Sequence, residues 1–103
     1  DGGQSNFALP LHPLARIIGQ PKIKYPVQMR YAGIIGTVEI AVSVEETGAV
    51  TQAKTLKASM SEFIPAAEKF ARSCTFIPRV IDGKAAGFEC IVAVKFALKD
   101  QQP

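Results

Sequence analysis

Thr37-Val38-Glu39-Ile40-Ala41-Val42-Ser43-Val44 alternates without a break, with the four branched apolar residues on one parity and Thr37, Glu39, Ala41 and Ser43 on the other. A period of two with one apolar face predicts a strand lying half buried on a core. Glu45-Glu46-Thr47-Gly48 follows as a turn in which Gly48 can take positive φ, and residues 50–58 return as a second strand. The alternation of that second strand is poor, because Val50 and Leu56 share a parity with Lys54. A bulge or a weakly held edge is expected there.

The same alternation returns at residues 88–98, where Phe88, Cys90, Val92, Val94, Phe96 and Leu98 share one parity and are expected to face in. Between these strands, Phe63, Ala66, Ala67, Phe70, Ala71 and Cys74 fall at helical spacing, with Glu62, Glu68, Lys69, Arg72 and Ser73 opposite. The spacing predicts an amphipathic helix over residues 62–75, capped by Ser59 or Ser61, with Pro65 tolerated near its start. Pro78 stops that helix, and Asp82-Gly83 supplies a turn. Tyr25-Pro26 opens a shorter helix of about two turns, for which Gly33 is a suitable left-handed stop. The order is α-β-β-α-β. It predicts an α+β fold with a three-stranded antiparallel sheet and two helices packed on one face.

The chain has 103 residues, room for one domain with a modest core, and 48% are apolar, so it folds. Pro10, Pro13 and Pro21 with Gly2, Gly3 and Gly19 mark the first part as linker. Residues 1–22 are read as the flexible, proline-containing end of a linker and 23–103 as the domain. Leu9, Leu11, Leu14, Ile17 and Ile18 could still lay part of that linker against it. Because the polar leader begins at Asp1, the expectation is a piece of a longer protein with any membrane anchor upstream. No window reaches the roughly 20 apolar residues of a membrane-crossing helix.

Cys74 lies on the helix's apolar stripe and Cys90 on the strand's apolar parity, so both point into the layer between helix and sheet. Two readings follow. A bridge would close a loop of about 15 residues and stabilise the fold by about 3 kcal/mol; two free cysteines would pack as small hydrophobes. The shared layer favours the bridge.

Catalytic chemistry has little to draw on. His12 is the only histidine and lies in the linker, which argues against a Ser-His-Asp or Cys-His arrangement, and two separated cysteines with one remote histidine make no metal site. Glu45 and Glu46 read as a solvated turn. Gly33-Ile34-Ile35-Gly36 precedes a strand rather than a helix, the wrong context for a phosphate loop. The net charge is +3 with the basic residues scattered, and the open sheet face offers Glu39, Ala41, Ser43, Ala93 and Lys95 rather than stacking aromatics. Nucleic acid, a small-molecule substrate, a metal and a cofactor are therefore not expected, and neither is an enzyme.

The edge of the sheet remains. The final strand is long, free of proline and carries Lys95 as its one outward charge near the middle, so it can recruit an extended peptide by strand addition. Equally, residues 1–24 or a second copy of the chain can mask that edge. The residues alone leave these alternatives even.

Tyr25-Pro26, Arg30, Gly33-Ile34, Gly36 and Val38, then Gly48 and Val50, Ser59, Phe63 with Ala66-Ala67, Phe76 and Pro78, Gly83, and Val94, Phe96 and Leu98 together resemble the TonB family of energy transducers. The resemblance covers about residues 23–98. Met29 departs from the usual alanine, Ile64-Pro65 from the usual helix start, and the cysteine pair is not a family feature. The resemblance implies the periplasmic C-terminal domain of a protein anchored in the inner membrane. Such a domain pairs its last strand with the TonB box of an outer-membrane transporter and passes on force derived from the proton gradient through ExbB and ExbD, admitting siderophores, haem or cobalamin. Carried onto this sequence, the pairing edge is Ile91, Val92, Ala93, Val94, Lys95, Phe96 and Ala97, helped by Gln20, Lys22 and Lys24. A structural envelope linker of the TolA kind has a similar fold and is the competing reading; a small secreted protease inhibitor is a third.

Overall fold

A computed structural model describes residues 6–12, 15–19 and 21–98 of the chain. Its strands are β1 (Phe7–Pro10), β2 (Ile17–Ile18), β3 (Gly36–Val44), β4 (Val50–Ala58), β5 (Thr75–Phe76), β6 (Arg79–Ile81), β7 (Lys84–Ala86) and β8 (Phe88–Phe96). Its helices are α1 (Val27–Tyr31) and α2 (Ile64–Ser73), the latter preceded by a 3-10 turn at Ser61–Phe63.

The main sheet has four strands in the order β1-β8-β3-β4, all neighbours antiparallel, where three were expected. The additional strand comes from the proline-containing approach segment, in which Phe7 lies opposite Lys95, Ala8 opposite Val94, Leu9 opposite Ala93 and Pro10 opposite Val92. Pro10 does not prevent this. The amide of Leu11 bonds the carbonyl of Ile91, so Leu11, Leu9 and Phe7 occupy the hydrogen-bonded positions of the ladder. Pro10 then falls on the alternate position, where no amide hydrogen is required. β2 pairs with β5, and β6 with β7 as a hairpin. Asp82 and Gly83 turn that hairpin with φ of 53° and 79°, the signature of a tight type I′ connection.

The alternation of β3 sets the core. Val38, Ile40, Val42 and Val44 are buried together with Val92, Val94 and Phe96 from β8. α2 covers this face with Ala67, Phe70 and Ala71, and Phe63 and Cys74 flank it at either end. Neither serine caps α2. The hydroxyl of Ser59 instead accepts the amide of Thr37 at 3.0 Å, tying the end of β4 to the start of β3, and the 3-10 turn leads directly into the helix. The irregularity expected in β4 appears as register shifts at Glu39/Ile40 and Ser43/Val44.

Tyr25 anchors the segment before α1. It is buried, its hydroxyl donates to the carbonyl of Ile34, and its ring meets Phe63 and Phe96 edge-on at 5.8 and 5.6 Å. Burial raises the pKa of its phenol. Gly36 is required at the entry to β3, because a Cβ there would stand 2.5 Å from the ring of Phe63. No helix among the described residues is long and apolar enough to cross a membrane.

Candidate functional site

In an antiparallel strand the amide and carbonyl of one residue point to the same side, and successive residues alternate sides. The bond from Leu11 to the Ile91 carbonyl therefore assigns the backbone groups of Ile91, Ala93 and Lys95 to the β1 side of β8. Those of Val92, Val94 and Phe96 turn to β3, where their register partners are Ile40, Val38 and Gly36. Ala97 continues the outer row, and its amide donates to the side-chain oxygen of Asn6 at 3.3 Å. The strand-pairing edge of the last strand is thus Ile91, Ala93, Lys95 and Ala97. The other three predicted residues, Val92, Val94 and Phe96, put their side chains in the core and their backbone groups on β3.

That edge is occupied. β1 and Leu11 satisfy it from Ile91 to Lys95, and Asn6 satisfies Ala97. Ala8 is buried, whereas Phe7 is 39%, Leu9 50% and Leu11 55% exposed. Burying the Ala8 methyl contributes on the order of 1 kcal/mol and half-covering Phe7, Leu9 and Leu11 about 1 kcal/mol each, so side-chain contacts and backbone hydrogen bonds share the fastening of this segment.

The side chain of Asn6 also donates to the carbonyl of Ile23 at 3.1 Å, bringing the approach segment beside the start of β1. Lys22 and Lys24 flank Ile23 and are exposed. Of the expected helpers, these two lie next to the edge, and Gln20 falls outside the described residues, as does Leu14. On the sheet's open face, Leu11, His12, Ala41, Leu56, Glu89, Cys90 and Ile91 line a shallow groove of about 390 Å³.

The two cysteines are free, which corrects the expected bridge. Both are buried, and Cys74 donates its thiol to the carbonyl of Phe70 at 3.4 Å, one turn back in its own helix. Helical and strand periodicities fix the layer that a side chain enters, not the separation within it or the Cβ directions that a bridge requires. Burial pushes the Cys74 thiol up to about 11 and raises Cys90 as well, so both hold their protons near neutral pH. Among the described residues no group of three or more His, Cys, Asp or Glu side chains is placed to hold a metal ion.

The family model for the C-terminal part of the Gram-negative bacterial TonB protein matches residues 21–98. The chain belongs to the TonB C-terminal family. Among solved structures, the solution structure of the Pseudomonas aeruginosa TonB C-terminal domain is similar in fold, with a TM-score of 0.71 and 18% identity over 89% of this chain and 94% of that one. No curated protein sequence matches the chain. The matched span contains the whole of β8 and none of β1. The family model therefore covers the edge, and β1, its occupant, lies before the matched residues.

Proposed function

We propose that this chain is the periplasmic partner-binding domain of a TonB-type energy transducer, non-enzymatic, which pairs the outer edge of β8 with the TonB box of outer-membrane transporters. The carrying observation is that the row formed by Ile91, Ala93, Lys95 and Ala97 already accepts an extended segment in antiparallel register. A strand that takes one peptide along its backbone offers the same donors and acceptors to another. Residues 91–97 supply the edge, and Gln20, Lys22 and Lys24 are proposed to steady the incoming segment beside it. Membership of the TonB family favours this reading over an envelope linker of the TolA kind.

The mechanism is mechanical. Upstream, an inner-membrane anchor works with ExbB and ExbD to convert the proton gradient into pull, and the domain transmits that pull to the transporter plug to admit siderophores, haem or cobalamin. Strand pairing suits the task because hydrogen bonds loaded along the strand share the force and break together.

Titration of the isotopically labelled chain with a synthetic TonB-box peptide tests the proposal. Amide shifts concentrated in residues 88–98 support it. Unmoved β8 amides at millimolar peptide, both in the chain and in the Leu9→Pro variant described below, would overturn it.

A further inference from the structure

We propose that β1 is a displaceable latch: residues 7–11 occupy the seat on β8 that a partner strand takes, and binding is an exchange of one strand for the other. The proposal rests on the reading of β8 as the partner edge and adds who holds that edge beforehand and what an incoming peptide must present.

Three independent observations support exchange. The latch is short, four ladder positions followed by the Leu11 bond. Its outward side chains, Phe7, Leu9 and Leu11, remain 39–55% exposed, so Ala8 is the one latch side chain that is fully buried. Finally, the family model begins its match at residue 21, so the latch lies outside the span that the model covers. Exposed backbone bonds with few buried apolar contacts are the conditions under which a segment opens locally without global unfolding.

The occupied seat also describes its guest. At the position opposite Val94 it holds a small side chain, Ala8, which is buried. Two residues on, at Pro10, it needs no amide donor. The alternate positions look outward and tolerate bulky apolar groups, as Phe7, Leu9 and Leu11 show. The fitting partner is an extended peptide with a small residue between two residues that both donate to β8. A charged residue at the Ala8 position is rejected.

Amide hydrogen exchange of the full chain tests the latch without any partner. Ile91, Ala93 and Lys95, which bond to β1, are expected to exchange at least about tenfold faster than Val92 and Val94, which bond to β3 in the same strand. Equal protection of the two sets would mean that β1 opens only with the whole domain and would overturn the proposal. Leu9→Pro removes a latch donor; it is expected to leave the fold intact, speed exchange of the outer set alone and raise affinity for a TonB-box peptide by about tenfold. A variant that unfolds, or one that speeds exchange but gains no affinity for any peptide that binds β8, would overturn it. A synthetic peptide with the sequence of residues 6–12 serves as the second probe. It should bind the Leu9→Pro variant along β8, and the same peptide with Ala8→Lys should not. If the residue 6–12 peptide binds and TonB-box peptides do not, the latch stands and the transporter reading falls.

Discussion

The ring of Phe63 stacks on that of Phe96 with centroids 4.5 Å apart, and Tyr25 closes edge-on against both. This trio joins the 3-10 turn before α2, the end of β8 and the approach to α1. Each ring comes from a different part of the chain, so the cluster forms only when helix and sheet have docked. Phe96 places it at the Lys95–Ala97 end of β8, the edge proposed to take the partner strand.

Phe63→Ala should therefore be among the most damaging core truncations, because Phe63 is fully buried and touches both other rings. The expected loss is about 3–5 kcal/mol, read as a lower midpoint in urea denaturation. A loss below about 1 kcal/mol would show that the trio does not hold the layers together.

Gly48 ends the turn after β3 at φ +93°, and a Cβ there would collide with the carbonyl oxygen of Phe76. Gly83 also has positive φ, +79°, yet has open space around it. Gly83→Ala should cost only the backbone strain, about 1 kcal/mol. Gly48→Ala adds a clash with backbone that cannot swing aside, and the amide of Phe76 bonds the Gly48 carbonyl in the same place. Its loss should exceed that of Gly83→Ala by at least about 1 kcal/mol in paired denaturation curves.

Residues whose period is imposed by one buried face were legible in advance. Val38, Ile40, Val42 and Val44 could hardly serve another structure, and the inward parity of β8 followed from the same rule. Gly33 and Gly48 declared their turns through the positive φ that both adopt, 70° and 93°. Phe7-Ala8-Leu9-Pro10 was not legible as a strand. It is short, apolar on both faces and ends in proline, and its pairing with Lys95, Val94, Ala93 and Val92 at the far end of the chain is a tertiary choice that no local pattern records. The candidate edge was half legible for the same reason. Alternation separates inward from outward side chains on β8, but only the neighbouring strands decide which backbone groups face out. The cysteines show a related limit, since period assigned the layer and left the distance open.

The buried thiols predict a loss of stability in alkali. Burial raises Cys74 from the usual 9.0 to about 11. As pH rises past 9 the unfolded chain gives up this proton and the folded chain keeps it, so the folded state binds more protons and becomes less stable with pH. The contribution is fully present below pH 9 and declines between pH 9 and 11 by roughly 1.4 kcal/mol per unit. Lysines and tyrosines titrate nearby, so the comparison is with Cys74→Ala. The slope of stability against pH from 8.5 to 10.5 should be shallower in that variant, and equal slopes would refute the shifted thiol.

Proline substitution along β8 separates the fold from the recognition edge. The amide of Val94 turns toward Val38 on β3, while that of Lys95 faces outward to Phe7 on β1. Val94→Pro removes a bond inside the central pairing and places a ring among buried neighbours, so loss of the circular dichroism signal is expected along with loss of binding. Lys95→Pro withdraws a donor from the edge alone. The fold should survive with a modest drop in melting temperature, and affinity for a TonB-box peptide should fall by about tenfold, the worth of one backbone hydrogen bond at the upper end of its net range. Should Lys95→Pro unfold the domain as completely as Val94→Pro, the outer row would be part of the structural sheet rather than a surface open to exchange.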